Sequence, residues 1–474
     1  MSIPIRSIYS LGICFLLTIS MGCKKQTVWN VSTYGAIGDS LTVNTLAIQN
    51  AIDDCSNSGG GEVMLENGVY VSGTIILKND VTLRVAANAK LLSSVNPNHF
   101  YSIDPFIDAT GQYRGQCLIG AMDAKNIGIT GGGVIDGRGE MFKIGAINKT
   151  MKLLGEDLIV PDMPEVDTAK QNYVNKKLKP SYRPFLIRLV RSEGVNINNI
   201  NLRQPAAWTL HFYQCKDFKV DGVSIYSHAN QNNDGIDIDS SSDGEILNST
   251  VDTGDDAICF KTTSPIPTRN IKVNDCKLSS HWGAIKFGTE SMGDFEDITI
   301  SNCMIHDTKG GGIKILSVDG ANISGITIDQ IKMQNVEMPI FIRLGERRLV
   351  YRDAARQPVG SIDQVSISNI EASLRNQSES RLKAPTGIFI TGTPNHAIGK
   401  VVLENIHIEI EGGGNQLLAD TEVPENETRY PEFTFFGDYL PAYGLYARHI
   451  EFLESSQVTF SLSGKDSRPE SIRP

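Results

Sequence analysis

The chain is poor in the features that most directly announce a function. It has 474 residues but only three tryptophans, and its eight cysteines include no C-x-x-C pair. Neither a thiolate zinc site nor a disulfide framework is indicated. Its 44 glycines build no phosphate-cradling loop between a strand and a helix, so no nucleotide, flavin or haem cofactor is expected. Positive charge is short. A formal net charge of −10 weighs against non-specific nucleic-acid binding, and no nucleic-acid partner is expected. Long apolar runs are also missing beyond the N-terminus, where no segment approaches the ~20 residues of a membrane span.

The N-terminus is different. Arg6 is followed by "SIYSLGICFLLTISMGC", which ends in Ser20-Met21-Gly22-Cys23. A basic start, an apolar stretch and a small residue before cysteine form a secretory signal over 1–22. It resembles a bacterial lipoprotein signal, in which Cys23 is lipidated and begins the mature chain; Ser20 stands where an aliphatic residue is usual. An ordinary signal peptide and a short membrane anchor are the other readings. The expectation is export across an inner membrane and a lipid anchor at Cys23, as the chain's sole membrane attachment, in the periplasm or on an outer-membrane surface.

What the chain has in quantity is repetition. Strings of alternating apolar residues begin at 195 ("VNINNINL"), 218, 244, 271, 298, 326, 365 and 401 ("VVLENIHI"). A second series begins at 209 ("TLHFY"), 235 ("GIDID"), 257 ("AICFK"), 284 ("AIKFG"), 312 ("GIKIL") and 339 ("PIFIR"). Each has the period and length of a strand. Two short strands every ~25 residues cannot bury a face alone but can when stacked, so the pattern predicts an all-β parallel solenoid. One column of the first series is Asn199, Asn248, Asp275, Asn302, Gln330, Asn369 and Asn405, suited to a polar ladder at a repeated left-handed bend. Cys276 and Cys303, in the next column, read as stacked core residues. "TLAIQNAIDDC", with Leu46, Ile48, Ala51, Ile52 and Cys55 at helical spacing, predicts a helix capping the stack. One catalytic domain is expected over 23–464, interrupted by an insertion at 138–186 that breaks the rhythm. Residues 465–474 lack periodicity and are expected to be disordered. A monomer is expected.

In this register Asp234 and Asp256 both fall just before a second-series strand, on adjacent rungs ~4.8 Å apart, with Asp255 beside them. Close like charges are costly unless they are used. Two carboxylates holding a water, opposite a carboxyl able to donate a proton, are what an inverting glycosidase needs. Turn aspartates and calcium coordination are the alternatives. The outward columns also carry Lys261, Lys286, Lys314 and Arg343, which suggests a groove for an anionic sugar. His281 and Trp282, before the Lys286 strand, could hydrogen-bond and stack on a sugar ring or simply pack a turn.

These residues resemble the polygalacturonase-type glycoside hydrolases, glycoside hydrolase family 28. "YGAIGDSLTVNTLAIQNAIDDC" resembles the family's cap, "QPAAWTLHFYQC" its tryptophan-bearing strand, "NNDGID" its N-T-D motif and "GDD" its second motif. The resemblance implies a right-handed parallel β-helix with no cofactor and no metal. It makes Asp255 the general acid, has Asp234 and Asp256 activate water, and places Asn232 at the substrate. Two motifs depart. G-H-G falls on Trp282-Gly283-Ala284, and R-I-K on Lys314-Ile315-Leu316; Leu316 cannot replace a lysine, and Lys314 lacks the fork of an arginine. The implied enzyme keeps the chemistry and alters the substrate contacts. Lys286, Arg343 and Arg347 are candidates to supply them, on an acidic, pectic polysaccharide or oligosaccharide. "SHWGAIKFGTES", "MPIFIRLGERR" and "YPEFTFFGDYLPAYGLYARH" resemble a bacterial subgroup. The last of these, with the 138–186 insertion, could wall off the groove and favour exo-action. A lyase using Lys286 or Lys314 as base and a non-catalytic glycan binder are the rival readings.

Overall fold

The computed structural model describes residues 1, 27–161, 181–352 and 354–473. The signal segment and Cys23 lie outside them. The chain winds as a right-handed parallel β-helix. Among the described residues its strands form two sheets, of 22 and 13 strands. Pairing is parallel, except where Ser102–Ile107 runs antiparallel to Tyr113–Met122.

The two strand series are the two sheets. In the smaller, Leu210, Ile236, Ile258, Ile285, Ile313, Ile340, Ile388 and Leu445 are successive register partners, and all are buried. In the larger, Ile271, Ile298, Ile326, Val365 and Val401 align likewise. Parallel pairing stacks like on like, and each buried Ile contributes roughly 1.5–3 kcal/mol. Gly244 interrupts its column for a reason: a Cβ there would lie 2.1 Å from the Phe218 ring, which stacks on Phe212 at 4.3 Å between centroids.

The polar column turns the corner. Asn199, Asn248, Asp275, Asn302, Gln330, Asn369 and Asn405 all have φ between 44° and 58°. Asn369 Nδ2 donates to Asp329 Oδ1 at 2.6 Å, and Asn405 Nδ2 donates to Asn369 Oδ1 at 2.7 Å. Short polar side chains tolerate this left-handed geometry, and the amides tie one rung to the next. Cys276 and Cys303 are unbridged and buried in the neighbouring column.

Helix α1 (Thr45–Asn57) buries Ile48, Ala51, Ile52 and Cys55 against the first rungs. Leu46, grouped with them from the sequence, is 73% exposed, because it lies on the opposite side of the helix from Ile48. The tail also departs from expectation. Ser471–Ile472 pairs with Leu445–Arg448. Arg468 donates to Pro385 O at 2.7 Å and Leu440 O at 3.0 Å, which anchors a segment whose composition alone reads as disordered. Within the insertion, helix α2 (Ile144–Leu154) follows a 3-10 turn, Gly139–Phe142; residues 162–180 lie outside the described set.

Other departures from the repeat build a roof over the outer face of the small sheet. At one end Phe106, Phe185, Trp208 and Tyr213 cluster there. At the other end Leu316, Phe341, Phe389, Phe433 and Phe436 do so. Leu349, Val350 and Tyr351 pack with Ala109 and Met292 in a further patch. The charged groove lies on the same face.

Candidate active site

Backbone pairing stacks the two acidic turns. Thr209 N donates to Asp234 O at 2.8 Å, and Gly235 N to Asp256 O at 2.9 Å. Asp234 thus sits one rung from Asp256 at the same strand position. Asp255 is turned otherwise: Ser280 Oγ donates to its carbonyl at 2.6 Å, and its Oδ1 accepts from Asp256 N at 3.0 Å. One oxygen from each of the three carboxylates lies within 4.8 Å of the others. Asp234 and Asp256 are buried, and Asp255 is partly exposed.

The three differ in their partners. Asp256 has both oxygens occupied, by Lys286 Nζ at 2.7 Å and Gly283 N at 3.2 Å. Asp234 has Lys261 Nζ 3.4 Å from Oδ2, while its Oδ1 has no hydrogen-bond partner. Desolvation, then the charges of Asp234 and Asp256, push Asp255 well above the usual carboxylate range. Desolvation also raises Asp234, against the pull of Lys261. Burial acts to lower Lys286, but Asp256, Tyr430 and Cys259 together outweigh it and hold the ammonium charged. Asp255, the carboxyl pushed most strongly toward its protonated form, thus lies beside Asp234, which keeps one oxygen without a hydrogen-bond partner.

Lys261 is shared: Glu290 Oε2 lies at 3.3 Å and Asp237 Oδ1 at 3.5 Å, and its Nζ sits 4.5 Å from the Trp208 ring centroid. Burial acts to raise Glu290, but Lys261, two backbone N–H groups and Lys286 together overcome it and hold the carboxyl at about 2. Asp237, buried beside Asp234, is pushed well above its ordinary value, first by desolvation and then by Asp234.

Asp234, Asp255 and Asp256 together, or Asp234, Asp237 and Cys259, are close enough to share an ion. A calcium ion seeks six to eight oxygens. Each set offers three ligand atoms, and two ammonium groups already occupy the negative field.

The remaining expected substrate contacts are dispersed. Asn232 is close: its Oδ1 accepts from Arg183 Nη2 at 3.0 Å, Gln112 Nε2 at 3.1 Å and Arg114 Nη2 at 3.2 Å. Trp282 is partly exposed and lies under Arg381, whose Cζ is 4.4 Å from the ring centroid. His281 is exposed, but its ring meets His228 at 4.7 Å, and His228 is hydrogen-bonded to Asp252.

Three expected cations are engaged otherwise. Lys314 is buried, with Nζ 2.7 Å from Glu432 Oε2. Its stem crosses Gly283, where a Cβ would stand 3.2 Å from Lys314 Cδ and 3.1 Å from Asp256 Oδ1. Arg343 does not serve the groove. It donates to Gly392 O at 2.6 Å and Glu425 O at 2.9 Å, and is 1% exposed. Arg347 pairs with Asp319. The physical reason is common to all three: the roof buries these outward positions, and a buried cation must find oxygen.

Several groove residues carried weak sequence signals. Asp237 and Lys261 stand in the outward columns. Glu290 follows its strand string across a register shift between Phe260 and Thr262. Tyr430, raised to about 12 by desolvation, Arg114 and Arg183 come from segments with no periodicity.

Acids gathered on the outer face of a parallel β-helix place the chain among the carbohydrate-active proteins built on that coil. Residues 99–426 match the family described as Glycosyl hydrolases family 28, and the chain belongs to it. It is 29% identical over 342 residues to an exo-poly-alpha-D-galacturonosidase of Dickeya chrysanthemi, covering 65% of this chain and 55% of that one. It is 28% identical over 313 residues to an endo-polygalacturonase of Pectobacterium parmentieri, covering 64% and 72%. The chain therefore spans little more than half of the Dickeya relative. The family 28 exopolygalacturonase of Yersinia enterocolitica shares the fold, with a TM-score of 0.65 over 94% of this chain and 79% of that one at 21% identity.

Proposed function

We propose that the protein hydrolyses glycosidic bonds in an acidic, galacturonate-containing polysaccharide or oligosaccharide, with inversion. The carrying observation is the set of three carboxyl groups from two adjacent rungs, within 4.8 Å, of which Asp255 alone is partly exposed. Asp255, its pKa raised, donates a proton to the leaving oxygen. Water between Asp234 and Asp256 attacks the anomeric carbon, and its proton passes to Asp234, because both oxygens of Asp256 are already hydrogen-bonded. The lyase reading is disfavoured. Lys286 is ion-paired with Asp256 and buried Lys314 with Glu432, so neither amine is free to reach a substrate proton.

The test is Asp255→Asn. It is expected to lower kcat by about 10²–10⁴-fold while leaving substrate binding in place; unchanged turnover would sink the reading. A product absorbing in the near ultraviolet would indicate a lyase instead. A second stereochemical reading has its own support. Carboxyl groups this close are nearer the ~5–5.5 Å usual for retention than the ~6.5–9.5 Å usual for inversion, which would make Asp234 the nucleophile. Proton NMR of the first-formed anomer decides between them.

Action from chain ends is supported by the wall that α2 raises beside the groove and by the exo-acting relative named above. Short products released from the first minute, without intermediate ladders, are the expected pattern. The N-terminal sequence supports export and lipid attachment at Cys23. Labelled palmitate should enter the wild type and not Cys23→Ser. We further take the working unit to be the single chain; light scattering at working concentration tests this.

A further inference from the structure

Most cations near the aspartates are matched by a carboxylate. Lys286 has Asp256, Lys314 and Arg381 share Glu432, Arg114 has Asp108 and Arg347 has Asp319. Lys261 lies among three acids. Arg183 differs. Its hydrogen bonds go to neutral oxygens: Gln112 Oε1, the carbonyl of Gln231, and Asn232 Oδ1 at 3.0 Å. Among the described residues no carboxylate pairs with it. Asn232, two residues before Asp234, holds it; burial and then Arg114 act against its charge, while Asp108, Asp234 and Asp255 act to keep it.

This guanidinium also lines a cavity of about 440 Å³. The cavity's other walls include Gln112, Asn230, Gln231, Tyr182 and the α2 residues Ile144 and Ile147. Exposed Lys143 adds a second cation. Asn230 Nδ2 donates to Gly139 O at 3.1 Å, which ties the segment leading into α2 to the loop that carries Asp234. Amides, one unpaired guanidinium and an apolar side suit a sugar ring that carries a carboxylate.

We propose that this cavity is a subsite for a uronate residue at one end of the substrate chain, with Arg183 as the group that binds its carboxylate. The proposal rests on the hydrolase reading above. It also explains how the chain can recognise an acidic sugar when Leu316, Lys314 and Arg343 cannot: the anion site lies on the other flank of the aspartates, toward earlier rungs.

Binding can be read without turnover in the Asp255→Asn background, by calorimetry with trigalacturonate and with its fully methyl-esterified form. Adding Arg183→Gln is expected to weaken the acid form roughly 10- to 100-fold and to leave the ester unchanged. Ile144→Glu puts a negative charge on the cavity wall from an exposed position, so folding is spared. It should weaken the acid form more than Ile144→Gln does, since only the glutamate adds a charge that repels the carboxylate. Equal effects on acid and ester, or no effect from either Arg183→Gln or Ile144→Glu, overturn the subsite even if the wild type hydrolyses galacturonan. Failure of the wild type to hydrolyse galacturonan, together with failure of the Asp255→Asn enzyme to bind trigalacturonate, overturns the hydrolase reading and the subsite with it.

Discussion

The two sides of the small sheet obey different rules. On its inner side eight consecutive rungs present Leu or Ile at one position, each stacked on the next. On its outer side the middle position runs His211, Asp237, Cys259, Lys286, Lys314, Phe341 and Phe389. Both sides are buried at these rungs. The difference therefore is not burial but what does the burying. Inside, each rung is covered by copies of itself, so one residue type serves throughout. Outside, each rung meets a different roof segment, and each side chain is suited to its own partner: Lys314 to Glu432, Phe389 to Phe436.

The contrast should break hardest at an outer ion pair. Glu432→Gln strands a buried ammonium and is expected to cost about 3–5 kcal/mol. The double variant Lys314→Met/Glu432→Gln should cost clearly less than the sum of its singles, as read by urea unfolding. Strict additivity would mean that the two do not act as a pair. On the inner side, Ile340→Ala should cost about 2–5 kcal/mol through its cavity, with kcat of the folded enzyme unchanged, since Ile340 touches only the core. A subtler test is electrostatic. Burial is the main cause of the raised Asp255 carboxyl, with Asp234 and Asp256 adding to it. Asp256→Asn removes one of those charges, so Asp255 should lose its proton at lower pH. The alkaline limb of the residual kcat/KM profile should then move toward acid, and no movement would remove Asp256 as a cause. The smallest effect is expected at the corner. Asn369→Ala places an ordinary side chain at a φ of 55°, at a cost of about 1–2 kcal/mol. Asn369→Gly should cost less, because it loses only the amide's bonds to Asp329 and Asn405.

The same division governs what can be read from sequence. Ile258, Ile285 and Ile313 announce the coil because stacking forces one residue type into a fixed period. Asn302 and Asn369 announce its corner for the same reason. The stacking of Asp234 over Asp256 follows from that period, since register alone decides which residues are neighbours. Glu432 and Arg183 follow from nothing periodic. They reach the groove from roof and insertion segments whose path is set by tertiary packing, so Lys314 read as an exposed sugar contact when it is half of a buried pair. Arg343 misled in the same way: its column is outward, but the loop that covers it supplies only carbonyl oxygens. The tail misled in the opposite sense, because the Arg468 side chain and backbone pairing to Leu445–Arg448 supply the order that its composition does not.

The partner of Lys314 lies 118 positions further along the chain. Rungs that touch only their neighbours can wind as they leave the ribosome, whereas this contact must wait for a segment translated much later. A chain truncated between the two would carry a wound coil in which Lys314 lacks its carboxylate, so the flank of the groove beyond Gly283 is completed last although most of its residues are made in the middle.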